Sequence, residues 1–598
     1  MSWRAVAGKV GLIAVLVASL ASLSAAQRGG GGRPAPAPRA PIQPVVRQPQ
    51  NLVSPFSTAD TTGPNFAKSD GRPLKFSTSV QLVLVPAVVT DKSGRHLTGL
   101  TREDFTLLED GKEQKIASFE EIHAGAAPVV RSAAPVNEFS NVTVSDQAPR
   151  RFTVIALDTV NTPFLDQARA REALVKYLAQ TVSEGQPVML CTIGRSGIKV
   201  IHDFTTDPAV LRAALQKVHG ELPPTAGAAG AADAAPVDAK TFASQGVNAE
   251  ADQLLSFIEG MDQSAGFQQA TSVATTLEAF QYIAEAFAGI PGRKSLVWVT
   301  GSFPFNIDTD TSALLGSGSP SALYERTFQM LNNANIAVYP VDARGLVDVG
   351  LPDASVRSSH ANVTNPGVVI QNALSTHMDT IATLEQVAAM TGGRAFYNRN
   401  DLEGAFREAA DDSSDYYLIG YYLDKTNTKA GWRKLTVKTH RDGAHVRARE
   451  GFFLTRTLMD PTQTHDMDLY VALQSPLDYS ALPVTVRIAN IQNTGDRRKV
   501  KFEIVLPANA ASIDDSDGNH LSLDFAAVAR DGKGDGKAVF TQTFSSKLKP
   551  GGVQEIRENG ITYTNSLDLP PGEYSVRVVV RDNLNGRMGS VLAPLKVM

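Results

Sequence analysis

Apolar and polar residues follow two different periods along the chain. Between about residues 150 and 415, continuous apolar runs are separated by stretches with apolar residues three and four apart, such as 166–180. The runs lie at 152–157, 188–193, 295–300 and 336–341. Continuous runs are typical of strands buried on both faces, and the stretches between them predict helices. This block therefore predicts an α/β fold with a doubly wound, mainly parallel sheet over residues 150–415.

The segments on either side of this block have the shorter period of strands. Residues 76–125 predict a small β module, and residues 416–460 predict a β-hairpin extension of the α/β block. From 468 to 598 short strands and turns follow one another, which predicts an immunoglobulin-like β-sandwich domain. An insertion rich in Ala, Gly and Pro at 220–250 predicts a flexible surface loop within the α/β block.

The first 75 residues have the composition of a targeting segment and a linker. Arg4 and Lys9 precede an apolar stretch at 11–23, and small residues follow at 24–26, which predicts a signal peptide over 1–26. This stretch is too short to span a bilayer, and no long apolar segment follows, so we expect no membrane span in the mature chain. Residues 27–75 predict a disordered Gly/Pro-rich linker. We expect an exported protein, periplasmic or secreted.

Charge and cysteine content narrow the classes of function. The formal net charge is −4, and nucleic-acid binding requires a dense basic surface, so we expect no nucleic acid as a partner. The single cysteine, Cys191, lies in an apolar run and is predicted to be a core residue. No nucleophile elbow, phosphate loop or dinucleotide fingerprint occurs in the sequence, so we expect that the protein is not an enzyme.

Several short motifs resemble those of bacterial exported proteins with a VWFA-related domain of the acidobacterial type, a family with the von Willebrand factor A fold. They are Val-Thr-Asp-Lys-Ser-Gly at 89–94, Leu-Thr-Arg-Glu-Asp-Phe at 100–105, Leu-Asp-Thr-Val-Asn-Thr at 157–162, Ile-Pro-Gly-Arg-Lys at 290–294, Trp-Val-Thr-Gly-Ser at 298–302, Val-Tyr-Pro-Val-Asp-Ala-Arg at 338–344 and Asp-Tyr-Tyr-Leu-Ile-Gly-Tyr at 415–421. The resemblance implies an A-like domain that binds other proteins through the loops at the carboxyl edge of its sheet.

In this fold family the loop edge commonly holds a metal-ion-dependent adhesion site, whose first loop reads Asp-x-Ser-x-Ser. By resemblance, Asp158 takes the place of the acid, Asn161 is an additional oxygen donor, and Thr162 takes the place of the second hydroxyl. Val160 stands where the first serine belongs, and a valine side chain cannot bind a metal. The site is therefore degenerate, with either no cofactor or weakly bound Mg²⁺.

The two later loops of that site are also only partly matched. The threonine of the second loop could be Thr271, Thr275 or Thr276. The third loop has Gly301 and Ser302 in place of the usual aspartate, and Ser302 is the remaining candidate ligand. These acids and hydroxyls are also explained by helix capping, in which a side-chain oxygen accepts from the next backbone N–H groups.

Two functions are compatible with these patterns. The first is an exported protein-interaction or adhesion-type binding protein with a protein partner. The alternative is a hydrolase or other enzyme that uses an unrecognised site near Asp158, Ser302 and Asp342 at the carboxyl edge of the sheet. Asp342 also has Arg344 two residues later, and pairing between the two would explain it without any chemistry.

Overall fold

The computed structural model describes residues 82–123, 137–142, 152–180, 187–218, 220, 271–301, 320–346, 366–423, 431–454 and 461–598. All of these residues belong to a single unit that extends from Val53 to Met598. The predicted signal peptide, the predicted linker, nearly all of the 220–250 insertion and Ser302 lie outside the described residues.

The strands are numbered along the chain as follows: β1 (Leu82–Thr90), β2 (Phe105–Glu109), β3 (Lys112–Gln114), β4 (Ser118–His123), β5 (Glu138–Ser140), β6 (Phe152–Asp158), β7 (Val188–Gly194), β8 (Gly197–Thr205), β9 (Lys294–Thr300), β10 (Ile336–Asp342), β11 (Asp415–Tyr422), β12 (Gly431–Thr439), β13 (His445–Ala448), β14 (Gly451–Leu454), β15 (Thr485–Thr494), β16 (Arg497–Leu506), β17 (His520–Asp531), β18 (Gly536–Lys547), β19 (Ile561–Leu569), β20 (Gly572–Asp582) and β21 (Met588–Val597).

The helices are numbered in the same way: α1 (Phe164–Gln180), α2 (Pro208–Gln216), α3 (271–287), α4 (Pro320–Asn333), α5 (Pro366–Thr391), α6 (Leu402–Asp411), α7 (Pro461–Gln474) and α8 (Pro550–Asn559). None of the helices in the described part of the chain combines the length and the apolar character needed to cross a bilayer.

A five-stranded sheet carries the continuous apolar runs and has the order β10-β9-β6-β7-β8. The pairs among β10, β9, β6 and β7 are parallel, and β8 is an antiparallel edge strand. Alternate residues of β6 enter two separate cores: Val154 and Ala156 pack on one face, and Ile155 and Leu157 pack on the other. Burial of both faces explains why these strands are largely apolar.

The prediction of a doubly wound, mainly parallel α/β fold of the von Willebrand factor A type is wrong for this chain. The described residues form five sheets, and the other four are antiparallel throughout. Among the described strands, the parallel pairs lie in the five-stranded sheet, and one isolated parallel bridge joins Val341 of its edge strand β10 to Phe396. A continuous apolar run indicates that a strand is buried on both faces, but it contains no information about the direction of the neighbouring strands or about how much of the chain joins the sheet.

The N-terminal β segment and the 415–454 hairpins form two shared four-stranded sheets. Their strand orders are β13-β1-β11-β4 and β14-β12-β2-β3. One core lies between them and includes Val85, Leu107, Ile419 and Leu435, all buried. Because each sheet needs strands from both segments, neither segment completes a sheet alone. The sequence pattern predicts these two segments as separate elements.

The C-terminal region consists of two four-stranded antiparallel sheets, ordered β19-β16-β15-β5 and β18-β17-β20-β21. Their facing residues share one buried core. The edge strand β5 comes from residues 138–140, far from the rest in sequence, and pairs with β15. Asn141 fixes this strand, because its amide group donates to the carbonyls of Tyr479 (2.6 Å) and Leu482 (2.8 Å) and accepts from the N–H of Val484 (2.8 Å).

Candidate functional site

Asp158 ends β6 at the carboxyl edge of the five-stranded sheet, and donors from the protein enclose its carboxylate. Oδ1 accepts from the backbone N–H groups of Val160 and Asn161, both at 3.0 Å. Oδ2 accepts from Asn161 Nδ2 (2.8 Å), Trp298 Nε1 (3.0 Å) and Thr300 Oγ1 (3.3 Å). Both oxygens are therefore already engaged within the protein, in the manner of a residue that orders the following loop.

The electrostatics of Asp158 also differ from those of a metal ligand. Burial raises the pKa of Asp158, and this outweighs the hydrogen bonds from Asn161, Trp298 and Thr300, which lower it. The described residues contain no cluster of three or more His, Cys, Asp or Glu side chains that could hold a metal ion. One enclosed carboxylate does not match the six-oxygen shell that Mg²⁺ requires, so these residues as they stand do not fit the ion.

The structure distinguishes between the three candidate threonines. Asn161 Nδ2 donates to Thr276 Oγ1 at 2.9 Å, so Thr276 on α3 reaches the first loop. Thr275 Oγ1 instead donates to the carbonyl of Thr271 (2.9 Å), within the same helix. Asp158, Asn161 and Thr276 therefore meet at one place, and there the contacts are hydrogen bonds between protein groups.

The remaining loop positions leave little space for a ligand. Gly301 packs against the first loop so closely that a Cβ atom there would lie 2.6 Å from Pro163 Cδ. Thr162 is buried, and its Oγ1 has no hydrogen-bond partner among the described residues. A cavity of about 10 Å³ lies beside Asp158, Thr162 and Gln167. A cavity of that size holds at most one water molecule, which Thr162 would bind.

Asp342, at the end of β10, is held by its neighbour. The guanidinium of Arg344 donates through Nη2 to Asp342 Oδ2 (2.7 Å) and through Nε to Oδ1 (2.9 Å), and the Arg344 backbone N–H also reaches Oδ1 (3.0 Å). The carboxylate is fully buried, and the guanidinium is largely so. The pairing considered from the sequence is confirmed, and it neutralises this acid.

A larger site lies elsewhere, in a cavity of about 740 Å³ that we call the arginine groove. Its walls are the C-terminal part of α5 with the segment that follows it, the strand β12, and β13 with the two residues after it. Five cationic side chains line it: Arg394, Arg399, Lys434, Arg447 and Arg449. The volume is within the range of pockets that bind ligands.

Three of these arginines have carboxylate partners behind the groove wall. Glu408 on α6 pairs with both Arg394 and Arg399, in the latter case at 3.1 Å. Asp412 pairs with Arg447. Burial lowers the pKa of Arg394, and the nearby charge of Arg447 lowers it further, which shows how closely the cations are placed.

Arg449 differs from the other arginines because no carboxylate among the described residues pairs with it. It is only 8% exposed. Its Nη2 donates to the carbonyl of Leu84 (2.8 Å), and its guanidinium lies 5.7 Å from the ring centre of Phe452. Its Nε has no hydrogen-bond partner within the described part of the chain. Burial lowers the pKa of Arg449 to about 10. A buried cation without a counter-ion is costly, so this position favours an anion.

Two aromatic residues that line the groove, Phe396 and Tyr397, contact its charged side chains. The guanidinium carbons of Arg394 and Arg399 lie 4.5 and 5.5 Å from the ring centre of Phe396, which is buried. Such cation–π contacts restrict the orientation of both arginines. At the rim, the hydroxyl of Tyr397 donates to Glu385.

The sequence did not reveal this groove because its walls come from three segments with no shared motif. One signal was present. Arg447 and Arg449 are two positions apart at the end of a predicted strand, so they project to the same side. Which residues face them depends on the tertiary fold.

Comparisons with known proteins give no family. No protein-family model matches the chain, and no curated protein matches it. Among solved structures, an endonuclease/exonuclease/phosphatase from Beutenbergia cavernae DSM 12333 is similar at 11% sequence identity, with a TM-score of 0.10. The match covers 32% of this chain and 39% of that protein, so this chain spans well under half of its length. A similarity of this size supports no conclusion about fold or activity.

Proposed function

We propose that this chain is an exported protein-binding protein, without catalytic activity, whose partner occupies the arginine groove. The observation that carries the proposal is the groove itself, a cavity of about 740 Å³ with five cationic side chains, of which Arg449 is buried without a carboxylate partner among the described residues. A site with this many fixed donors supports recognition of an anionic partner.

Two further parts of the proposal rest on sequence alone. Export through the segment 1–26 is supported by its charge and apolar pattern. The short motifs at 157–162 and 338–344 support kinship with the bacterial VWFA-related exported proteins. The chain does not have the fold that this resemblance implies.

The alternative of a hydrolase at the sheet edge has no comparable support. Protein donors enclose the carboxylate of Asp158, and Arg344 holds that of Asp342. A general acid or base needs an oxygen that can reach substrate, and in both residues the oxygens are directed to groups of the protein.

The test is affinity capture with the full mature chain immobilised, using envelope and culture-medium extracts of the source organism. We compare the wild type with Lys434→Glu, which reverses an exposed charge in the groove, and with Lys438→Glu, an exposed position on the same strand that does not line it. We expect saturable capture of a protein that Lys434→Glu abolishes and Lys438→Glu retains. Equal capture by all three chains would refute the proposal.

A further inference from the structure

We infer that the partner presented to the arginine groove is an extended acidic peptide segment with carboxylates at alternate positions. This inference rests on the proposed function and names the chemistry of the partner. The groove contributes Arg394, Arg399, Lys434, Arg447 and Arg449, whereas the acids that line it are Glu385 and Glu450. Tyr397 already engages Glu385. Three of these cations already pair with Glu408 or Asp412. The other two, Lys434 and Arg449, have no carboxylate partner among the described residues and complement the carboxylates of a ligand.

The edges of two strands give the groove its shape. Among the described strands, β13 lies at the edge of its sheet, where it pairs with β1. Residues 435–439 of β12 pair with β2, and the first three of them, Leu435 to Val437, line the groove. The Leu435 N–H donates to the Glu450 carbonyl (2.7 Å), which joins the two walls at one point. Strand edges expose backbone N–H and C=O groups, and an extended peptide is the partner that satisfies them.

The spacing of the arginines along the chain determines which arrangement of acids in the peptide fits them. Arg447 lies in β13, and Arg449 lies two positions further along the chain, on the same side. An extended chain advances roughly 3.3 Å per residue, so the two side chains leave the backbone about 7 Å apart. A peptide with glutamates at every second position places its carboxylates on one side at the same spacing. Contiguous glutamates place half of their charge away from the arginines.

Arg449 supplies the anchor of this site. Its Nε has no hydrogen-bond partner in the described ranges, and the residue lies buried between the groove and a second cavity of about 170 Å³ beside Asn332 and Phe452. A carboxylate that reaches Arg449 gains a charge-assisted hydrogen bond away from bulk water, where such bonds are strongest. The other four cations are more accessible and contribute orientation and rate of association.

The experiment measures binding of two synthetic peptides to the full mature chain by fluorescence anisotropy. One is acetyl-Thr-Glu-Thr-Glu-Thr-Glu-Thr-amide, and the other is its isomer acetyl-Thr-Thr-Glu-Glu-Glu-Thr-Thr-amide. We expect the alternating peptide to bind about tenfold more tightly than the isomer, and Lys434→Glu to weaken its binding about tenfold or more. Lys438→Glu should change it less than twofold. Arg449→Met should abolish binding, with circular dichroism as the check on folding.

Three outcomes would overturn the inference: no binding of either peptide, equal affinity for the two isomers, or equal affinity of wild type and Lys434→Glu for the alternating peptide. Tighter binding of heparin than of either peptide, lost in Lys434→Glu, would also overturn it and identify a polyanionic glycan instead.

The two proposals can fail separately. If neither peptide binds while capture from extracts still depends on Lys434, the acidic-peptide assignment fails and the proposed function stands. If capture does not depend on Lys434, the proposed function fails.

Discussion

Lys294 and Arg449 are both buried cations, and we assign a ligand only to Arg449. Lys294 begins β9, and its Nζ donates to the Ile290 carbonyl (2.6 Å). Burial lowers the pKa of Lys294 to about 7, and no carboxylate among the described residues pairs with it. It does not line the arginine groove, so it has no ligand to compensate it there. We regard Lys294 as a position where the fold tolerates a cost, and Arg449 as one where a ligand offsets it.

Lys294→Met should therefore stabilise the protein, and the effect should depend on pH. The ordinary pKa of a lysine is near 10.5, and the native value is about 7. Between these values the unfolded chain binds more protons, so the stability of the wild type rises as pH increases from 7 to 10.5. We expect the variant to be more stable by on the order of 2 kcal/mol at pH 6, with a smaller difference near pH 10. Urea unfolding at both pH values measures this, and a difference independent of pH would contradict it.

Asp158 leads to a prediction about metal. Because its carboxylate is occupied by five donors, millimolar Mg²⁺ should leave the thermal unfolding midpoint of the wild type unchanged, since a ligand that does not bind the native state cannot stabilise it. Asp158→Asn presents N–H groups to some of those donors and should cost about 1–3 kcal/mol. A Mg²⁺-dependent rise in the midpoint that Asp158→Asn abolishes would restore the metal site expected from the sequence.

At the scale of elements, the buried side chain of Asn141, directly after β5, connects this strand to the sandwich. Asn141→Ala removes three hydrogen bonds and leaves the buried backbone groups of Tyr479, Leu482 and Val484 without these partners. We expect a loss of about 2–4 kcal/mol and faster amide exchange in β15, next to β5. Asn493→Ala, an exposed position on β15, is the control and should change stability by less than about 0.5 kcal/mol. Similar effects of the two substitutions would show that β5 is held by other contacts.

Elements that depend on local pattern could be predicted from the sequence, and pairings over long distances could not. β6, β7, β9 and β10 coincide with the continuous apolar runs, because a strand buried on both faces is largely apolar. No periodicity indicates that Leu82 pairs with Tyr422, or that residues 138–140 join the sandwich. At the loop edge, Asp158 accepts from Trp298 on β9 and Asn161 donates to Thr276 on α3, and neither contact could be predicted from the sequence.

At the scale of the whole molecule, a charged cluster joins the helical layer to the C-terminal sandwich. Asp468 on α7 accepts from Arg326 on α4 (3.1 Å) and from Arg581 on β20 (3.4 Å). Glu285 on α3 lies beside this cluster. Burial raises the pKa of Glu285 to about 7, and the charge of Asp468 adds to the effect, whereas Arg326 and Arg581 oppose it. The contact between the two regions therefore includes an acid that is easily protonated.

Glu285→Gln should remove a pH dependence of stability. The native pKa of about 7 lies above the ordinary value of 4.5, so the native state binds more protons between these values, and wild-type stability falls as pH rises from 4.5 to 7. At pH 8 we expect the variant to be more stable by roughly 2 kcal/mol, with little difference at pH 4.5. Chemical denaturation at the two pH values measures this. Glu573→Gln, an exposed control on β20, should show no such change, and a pH-independent effect of Glu285→Gln would disprove the assignment.

The shared sheets also determine the order in which the molecule can be assembled during synthesis. Glu138 of β5 meets Arg487 at a distance of 349 residues along the chain, and Leu84 of β1 meets Arg449 at a distance of 365. The first strands to leave the ribosome therefore remain with unpaired edges until most of the chain has been made, and closing such long loops slows folding. During that interval the open edges of β1 and β2 are sites for aggregation. With this connectivity, β1 and β2 gain their partners β11 and β12 only after the strands that follow residue 415 have been made.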